Sequence, residues 1–427
     1  MKTRLLTLLF LLSIPYFALA QWTTTDLSLA RRDIGAGKAG NLVFFAGGRP
    51  SNSVDDFALY RNRVDVYNLS TNSWSELQLD IERQFCFAVG VGNKVYFGGY
   101  TQVLTPDQDI VEVYDIDTET WSTLEMPSID GATSMTAEDG KVFFVNDNIV
   151  DIYDTTTGSW STEFLSENRI LAYALSCEGR VYFAGGGSFV DGTSATVDVY
   201  EIATGQWTVE QLSTGRNQMT GACFKGKAYF VGGALGFDGW TKNIDIYDPA
   251  TDTWSLLELN APKSGMGVAA TFSNLYIGGG YDNDEFDSVD EVEIIDAAGN
   301  KTTDVLSNTR AGVSSIAAGG RVFFAGGSDG FDFQTTVDIF VEEPSSTNEV
   351  SVAPLETMPN PVLDELVINL PQNNTDLSLN FYSLTGTLVR SMAAQSSVNV
   401  QGLPQGLYLL QLEENGTVIA RTKVLKQ

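Results

Sequence analysis

Basic side chains recur at a fixed spacing along most of this chain. Each stands nine residues after a tryptophan, or after Lys301 in its place, and thirteen before an aromatic residue: Arg31, Arg83, Arg169, Arg216, Lys263 and Arg310. Asp130 takes the equivalent place in one repeat. Arginine offers a planar fork of donors that matches a carboxylate. If the cations share one rim, they predict a site for an acidic sugar or an acidic peptide. The alternative is that they pair with nearby carboxylates and carbonyls and hold the fold together.

Aromatic and acidic side chains form a second group. They lie in the segments that follow recurring Gly-Gly pairs: Phe57, Tyr60, Tyr100, Phe189, Asp191, Phe237, Asp238, Trp240, Tyr281, Asp282, Asp284, Phe286, Asp329, Phe331, Asp332 and Phe333. Trp240 lies outside the regular tryptophan spacing. An aromatic ring can stack on a sugar while carboxylates accept hydrogen bonds from its hydroxyls. A glycan platform is therefore one interpretation, and packing of loop against loop is the other.

Histidine is absent from the chain. This excludes Ser-His-Asp and Cys-His nucleophiles and any zinc or copper site built on histidine. Cys86, Cys177 and Cys223 lie in apolar stretches, which predicts buried thiols. Cys177 and Cys223 belong to successive repeats, so the alternative for these two is a disulfide between them, formed in an oxidising compartment.

One acidic run has oxygen ligands at a spacing that calcium could use. Residues 282–287 read DNDEFD, but they lack the glycine and the terminal glutamate of an EF-hand loop. Asp282, Asp284 and Asp287 are therefore only weak calcium candidates, and no other cofactor is predicted.

The elements that must position these residues are repeats. A strand and the turn after it first read VDVYNLSTNSW over residues 64–74, and the pattern returns four times with Tyr-to-Tyr steps of 47, 39, 47 and 47 residues. Shorter copies stand at residues 292–296 and 337–340. Each repeat but the third also holds an apolar strand that ends in Gly-Gly, such as FFAGG at residues 44–48. Periods of this length indicate a repeat architecture of short strands.

This combination of Gly-Gly, Tyr-Asp and Trp resembles the kelch repeat over roughly residues 22 to 343. The resemblance implies an all-β propeller with one four-stranded antiparallel blade per repeat. Seven units keep the register of the basic residue, which predicts seven blades. The last unit lacks a tryptophan after Phe340, whereas Trp22 precedes the first full unit. We therefore expect the N-terminal strand to close the ring and remove two sheet edges.

The kelch resemblance also bears on activity. The family includes copper oxidases similar to galactose oxidase, whose metal is held by His and Tyr, and the lack of histidine argues against that activity here. Sialic-acid mutarotases of the family use Glu and Arg, so a carbohydrate-active enzyme stays open as the alternative function. The third repeat departs from the pattern, since Asn146-Asp147 replaces Gly-Gly. A short loop there predicts a notch in the rim.

The two ends of the chain indicate export. Residues 1–20 read as a secretory signal, with a charged start, an apolar stretch and a small-residue cleavage site. Residues 21–343 are the expected propeller and 344–351 a polar linker. Residues 352–427 resemble the type A C-terminal sorting domain of the type IX secretion pathway of Bacteroidota. Its matching segments are PNP at 359–361, FY at 381–382, LPQGLY at 403–408 and KVLK at 423–426. The resemblance implies a small β-sandwich that engages the secretion machinery.

The composition completes the prediction. A formal net charge of −29 repels nucleic acid and anionic lipid, both of which need basic residues. No segment after the signal is long and apolar enough to span a bilayer. We expect a secreted or outer-membrane surface protein, monomeric and noncatalytic, that binds a glycan or a protein partner.

Overall fold

A computed structural model describes residues 22–50, 62–100, 107–188, 192–282, 287–342, 353–355, 357–370, 377–382, 388–414 and 417–426. Within these ranges every regular element is a β-strand, which confirms the all-β prediction. The chain divides into two compact units, Met1–Glu343 and Pro344–Gln427. The predicted signal at 1–20 and linker at 344–351 lie outside the described residues.

The described residues of the first unit form seven four-stranded antiparallel sheets. We number them along the chain and give their strands from the innermost outward. Sheet 1 has β2 (Gly35–Ala39), β3 (Leu42–Ala46), β4 (Arg63–Asn68) and β5 (Ser73–Gln78); sheet 2 has β6 (Phe85–Val91), β7 (Lys94–Tyr100), β8 (Ile110–Asp115) and β9 (Thr120–Glu125). Sheet 3 has β10 (Ser134–Glu138), β11 (Lys141–Asn146), β12 (Ile149–Asp154) and β13 (Ser159–Phe164); sheet 4 has β14 (Tyr173–Cys177), β15 (Arg180–Ala184), β18 (Thr196–Glu201) and β19 (Gln206–Gln211). Sheet 5 has β20 (Thr220–Phe224), β21 (Lys227–Val231), β22 (Asn243–Asp248) and β23 (Thr253–Glu258); sheet 6 has β25 (Gly267–Ala270), β26 (Asn274–Gly278), β28 (Glu291–Asp296) and β29 (Lys301–Val305). Sheet 7 has β30 (Ser314–Ala318), β31 (Arg321–Ala325), β32 (Thr336–Val341) and, as its outermost strand, β1 (Trp22–Asp26).

The sheets form a closed ring. The innermost strand of each sheet contacts that of the next, and β30 of sheet 7 contacts β2 of sheet 1. The first strand completes the last sheet, because β1 runs antiparallel to β32 with Trp22 opposite Phe340. The seven innermost strands surround a central channel.

Aromatic pairs explain why the Tyr and Trp positions recur. Tyr67 stands opposite Trp74 across β4 and β5, with ring centroids 5.0 Å apart, and sheets 2 to 5 repeat the pair. Sheet 7 completes the pattern through Phe340 and Trp22, also 5.0 Å apart. Each such pair contributes about 0.5–1.5 kcal/mol beyond its buried area.

The same tyrosines join neighbouring sheets. Tyr67 of sheet 1 lies 5.3 Å from Phe323 of sheet 7, and Tyr247 of sheet 5 lies 5.7 Å from Tyr182 of sheet 4. Each register tyrosine is therefore shared between the core of its own sheet and that of the sheet before it.

The Gly-Gly pairs permit close approach between neighbouring sheets. Gly47 and Gly48 have φ angles of 63° and 94°, which L side chains rarely adopt. A Cβ on Gly47 would lie 2.5 Å from Cβ of Cys86 in sheet 2, and one on Gly48 would lie 2.6 Å from the carbonyl of Arg32. A larger residue at Gly47 would push sheet 2 away, and one at Gly48 would displace the connection that leads into sheet 1.

Two short ribbons accompany the ring, β16 (Gly187–Ser188) with β17 (Gly192–Thr193) and β24 (Lys263–Ser264) with β27 (Tyr281–Asp282). Among the described residues there is no helix that could cross a membrane.

The second unit has two sheets around one apolar core. Its strands are β33 (Ala353–Pro354), β34 (Thr357–Met358), β35 (Glu365–Ile368), β36 (Leu377–Tyr382), β37 (Leu388–Ala393), β38 (Ser397–Asn399), β39 (Gly406–Glu414) and β40 (Thr417–Lys426). They form a five-stranded sheet in the order β33-β40-β39-β36-β37 and a three-stranded sheet in the order β34-β35-β38. Leu366 and Val398 of the smaller sheet share a buried cluster with Phe381 and Leu410 of the larger one.

Candidate functional site

Two kinds of connection meet where the innermost strands begin, which we call the upper end of the channel. One kind joins the outer strand of a sheet to the innermost strand of the next sheet. The other joins the second and third strands of a sheet. Backbone bridges link the two kinds at Arg32–Arg49, Asn217–Ala234 and Ala311–Ser328. The described members of the basic and aromatic groups therefore share one end of the ring.

The six regularly spaced cations are buried, with at most 2% of each residue exposed: Arg31, Arg83, Arg169, Arg216, Lys263 and Arg310. Each pairs with a carboxylate on the third strand of the sheet that it leads into, the partners being Asp65, Glu112, Asp198, Asp245, Glu293 and Asp338. Most of the arginines also donate to a carbonyl of the second strand, as Arg169 does to Phe183 at 2.8 Å.

This arrangement contradicts the interpretation of the six cations as an anion-binding rim. Their charges are enclosed and already neutralised, so no ligand can reach them. Burial lowers the pKa of Arg31, Arg83, Arg216 and Arg310, and the partner carboxylates oppose that effect. The pairs link each incoming connection to the third strand of its sheet, as the alternative proposed.

Sheet 3 shows how a repeat forms without the cation. Asp130 is exposed, while Ile129 turns inward and is only 4% exposed. The buried carboxylate of Asp151 instead accepts hydrogen bonds from the backbone nitrogens of Ser128 at 2.9 Å and Ile129 at 3.2 Å, and from Thr162 Oγ1 at 2.6 Å. Only residues 147–148 separate the second and third strands, so sheet 3 adds no loop to the rim.

An ion cluster at the upper end was missed by the sequence analysis. Arg49 Nε and Nη2 lie 2.6 and 2.5 Å from Asp33 Oδ2, and Arg32 Nε lies 3.6 Å from the same oxygen. About a fifth of each side chain is exposed, at 20–22%. Two guanidinium groups and one carboxylate leave a formal charge of +1 (2 − 1) on a chain whose net charge is −29. The signal was present, since Arg32 follows the regularly spaced Arg31 and Arg49 follows Gly47-Gly48.

Aromatic rings extend this cluster on both sides. Tyr281 Oη lies 3.1 Å from Arg32 Nη1, and the Arg32 guanidinium lies 5.3 Å from the Phe333 ring centre. Tyr281 in turn stacks on Trp240, with centroids 6.1 Å apart and planes 29° apart. On the other side, Arg49 lies 5.0 Å from the Phe85 ring centre.

Phe85 continues the series by stacking on Tyr100 at 4.8 Å. We call the whole series the aromatic arc; it comprises Trp240, Tyr281, Phe333, Arg32, Asp33, Arg49, Phe85 and Tyr100. The arc spans sheets 5, 6, 7, 1 and 2 in order, so residues from distant parts of the sequence form one surface.

The remaining predicted loop residues differ in their exposure and contacts. Phe237 and Phe331 are fully or almost fully exposed, at 110% and 90%, on the loops of sheets 5 and 7. Asp329 accepts hydrogen bonds from the backbone nitrogens of Phe331 and Asp332, so it stabilises its own loop. Phe57, Tyr60, Phe189, Asp191, Asp284 and Phe286 lie outside the described residues.

A cavity of about 320 Å³ lies at the upper end of the channel. Its polar lining includes Asp33, Tyr173 and Gln218, and Asp33 is the only carboxylate among the described residues that line it. Tyr173 Oη donates to the carbonyl of Gly221 at 2.9 Å, and burial raises the pKa of this phenol. Glycoside hydrolysis generally uses two facing carboxylates, and this lining offers one, which Arg49 already binds.

Two of the three weak calcium candidates lie in the described part of the chain. Asp282 and Asp287 are described, and their main chains are joined by a hydrogen bond of 3.0 Å, whereas Asp284 is not described. No group of three or more acidic or cysteine side chains suited to a metal ion occurs within the described ranges.

The cysteines differ from the expectation of three buried thiols. Cys177 of sheet 4 and Cys223 of sheet 5 form a disulfide between adjacent innermost strands, with Cα atoms 5.2 Å apart. This is the pairing that the sequence left open. Cys86 is a buried free thiol, and burial raises its pKa to about 12.

Comparison with known proteins identifies the tail and supports the fold. Residues 357–427 match the family model of the secretion system C-terminal sorting domain. No curated protein matches the chain. Similar solved structures include that of YjhT, with 11% identity and a TM-score of 0.50 over 75% of this chain and 97% of that one. Another is a fungal alcohol oxidase of the AA5 family in complex with copper, with 14% identity and a TM-score of 0.59 over 96% of this chain and 99% of that one. At these identities the likeness shows the fold alone, which is of propeller type.

Proposed function

We propose that this chain is a seven-bladed kelch-type propeller whose function is noncatalytic binding of a glycan or protein partner outside the cell. The propeller would comprise residues 21–343, closed by its N-terminal strand, and residues 352–427 would form a sandwich-like sorting domain. The sorting-domain match indicates secretion or surface attachment. We assign export to the type IX pathway on the same resemblance.

The aromatic arc is the observation that supports binding. It presents flat rings and charged donors on one connected surface. The regularly spaced cations, in contrast, are buried in ion pairs inside the fold. Rings stack on sugar faces or on the apolar side chains of a partner. Arg32 and Arg49, each about a fifth exposed, supply donors that can fix the orientation of the ligand.

The charge of the arc favours an electron-rich ligand. The local formal charge of +1 stands against the acidic remainder of the chain, so oxygens of a ligand would meet attraction here and repulsion elsewhere on the surface. This contrast would direct the ligand to the arc.

A carbohydrate-active enzyme at the channel mouth is the rival function. It would need a free acid or base in the cavity, but the carboxylate of Asp33 is held by Arg49 at 2.5 Å. Incubation of the purified full chain with bound sugars separates the two functions. Conversion or anomeric exchange of the sugar would replace the binding proposal by the enzyme.

A glycan array, combined with pull-down from the culture medium, tests the binding proposal. Trp240→Ala removes one end of the arc and should weaken binding about 30-fold, the effect of losing an interface anchor worth about 2 kcal/mol. Phe272→Ala is the matched control, because Phe272 is 84% exposed on a connection at the opposite end of the channel. Equal binding by Trp240→Ala and the unmodified chain would refute the role of the arc.

The mature ends of the exported protein test the delivery proposal. Mass spectrometry of the culture medium should find a chain that begins near Gln21. Retention of the full chain in the cytoplasm would contradict the assignment of residues 1–20, and retention in the periplasm would contradict the assignment of residues 352–427.

A further inference from the structure

Two loops at the upper end carry the most exposed large apolar side chains of the described residues. Phe237 of sheet 5 is 110% exposed and Phe331 of sheet 7 is 90% exposed. Both belong to the tripeptide Gly-Phe-Asp, at residues 236–238 and 330–332, and both phenylalanines stand four residues after a Gly-Gly pair. Each ring is followed directly by an exposed aspartate. We call these two tripeptides the Phe-Asp tips.

Hydrogen bonds within the loops fix the backbone of the tips. In the first loop the nitrogen of Leu235 donates to the carbonyl of Gly239 at 2.8 Å. In the second, the carboxylate of Asp329 accepts hydrogen bonds from the backbone nitrogens of Phe331 at 2.9 Å and Asp332 at 2.7 Å. A partner that covers the rings would therefore lose little free energy to the ordering of these loops.

The rings and carboxylates of the tips are unpaired within the described ranges. Neither Phe237 nor Phe331 stacks there on another ring or on a cation. No basic side chain of the described residues lies within salt-bridge distance of Asp238 or Asp332. Lys242, the cation nearest to the first tip in sequence, pairs instead with Glu258 at 2.6 Å. Each tip thus presents an apolar ring beside a carboxylate without a counter-charge.

The chain itself shows what a ring and a carboxylate can hold together. In the arc, the Arg49 guanidinium lies 5.0 Å from the ring centre of Phe85, and its Nη2 lies 2.5 Å from Asp33 Oδ2. The aliphatic stem of arginine or lysine packs on apolar surface while its charged end reaches a carboxylate or the face of a ring. The tips offer the same two groups, so a basic side chain of a partner fits each of them.

We infer that the Phe-Asp tips bind a protein partner through two basic side chains, one lysine or arginine at each tip. The stem of that side chain packs on Phe237 or Phe331, and its charged end pairs with the aspartate that follows. The inference rests on the proposed binding function and names the chemistry of a protein partner. A neutral glycan fits the tips less well, because the net charge of −29 attracts a basic segment but not uncharged hydroxyls.

Fluorescence anisotropy of a labelled peptide of alternating arginine and serine, titrated with the full exported chain, tests the inference. The double variant Phe237→Ala/Phe331→Ala keeps every charge, so a loss of affinity reports the rings alone. We expect about tenfold weaker binding, the effect of losing two exposed contacts between a cation and a ring. Phe272→Ala, the matched control at the opposite end of the channel, should bind like the unmodified chain.

Two single variants separate a local ion pair from attraction by net charge. Asp332→Asn and Asp130→Asn each remove one exposed carboxylate at the upper end, so a general effect of charge would be the same in both. We expect about threefold weaker binding for Asp332→Asn, with a smaller dependence on salt. Asp130→Asn should remain close to the unmodified chain.

Three outcomes would overturn the inference. Equal affinities of the double phenylalanine variant and the unmodified chain mean that the peptide responds only to the acidic surface. Equal losses in Asp332→Asn and Asp130→Asn remove the pairing at the tip. Loss of glycan-array binding in the double variant, with peptide binding unchanged, assigns the rings to a glycan.

The arc is followed separately, so that its failure can be told from failure of the tips. Tyr100, which stacks on Phe85 at 4.8 Å, lies at the end of the arc away from the tips. Tyr100→Ala should weaken binding of the glycan-array ligand and leave the peptide unaffected. If Tyr100→Ala and Trp240→Ala leave glycan binding unchanged while the tip variants lose the peptide, the role of the arc is refuted and the role of the tips is supported.

Discussion

Replacing Arg216 by methionine tests whether the regularly spaced cations are structural. Arg216 is fully buried, and its Nη2 lies 2.7 Å from Asp245. It also donates to the carbonyls of Phe230 at 3.2 Å and Thr214 at 3.1 Å. Methionine fills a similar length but leaves a buried carboxylate without its counter-charge. Among the described residues, Asp245 would keep the hydrogen bonds from the backbone nitrogen and hydroxyl of Ser213 alone.

Loss of one partner of a buried ion pair costs about 3–5 kcal/mol. The remaining bonds from Ser213 should hold the cost near the lower limit, so we expect about 3 kcal/mol of lost unfolding free energy for Arg216→Met. Arg63→Met is the control, since Arg63 pairs with Glu76 in an exposed salt bridge whose side chains are 32% and 51% exposed. That change should cost less than about 1 kcal/mol.

Urea unfolding of the disulfide-intact chain, followed by tryptophan fluorescence, measures both values. The comparison requires equal dependence of the unfolding free energy on urea in the variants. Adding Asp245→Leu to Arg216→Met should recover much of the loss, because it removes the unpaired charge. The folded single variant should still bind the ligand of the arc. A cost below about 1 kcal/mol for Arg216→Met, or a selective loss of ligand binding, would refute the structural role.

Three further predictions concern the ring. Cys86, whose pKa is raised to about 12 by burial, should resist alkylation at pH 8 until the chain is unfolded; rapid labelling of the native protein would contradict its burial. Replacing Cys177 and Cys223 by alanine should lower unfolding free energy by about 4 kcal/mol on the chain-entropy model for a sequence separation of 46, measured by the same urea titration; an unchanged midpoint would show that the disulfide does not constrain the unfolded chain. Trp121→Ala should cost roughly 3–5 kcal/mol, because its ring packs 4.9 Å from Tyr114 across two strands; an unmoved thermal melt would contradict the register.

The sorting tail illustrates what local sequence can reveal. Its short segments, such as the PNP of residues 359–361, identify a family because they occur in order within a single small unit, and the family model matches residues 357–427. The strand repeats could be recognised in the same way, because the alternation of apolar and polar residues and the turn residues involve only a few neighbouring positions. The all-β fold and the place of Trp22 beside Phe340 could therefore be predicted without coordinates.

The cations show where this reasoning failed. Their spacing was identified correctly, but spacing alone does not tell whether Arg216 points to solvent or to Asp245. The carboxylate partner lies 29 residues away from Arg216 and on a different strand, so the pair forms only when the sheet is assembled. Sheet 3 makes the same point, since Ile129 is buried there and its backbone nitrogen donates to Asp151, which the spacing of the cations did not predict.

The amino-acid sequence by itself determined the strand repeats, the absence of histidine chemistry and the sorting tail, because each depends on residue types at short separations. Only the tertiary structure decided which charges were buried, that Cys177 meets Cys223, and that Arg32, Tyr281 and Trp240 form one surface. The physical reason is ring closure. It brings together residues far apart in the sequence, such as Arg32 and Tyr281, which are separated by 249 positions. Burial then determines which of their charges remain available to a ligand.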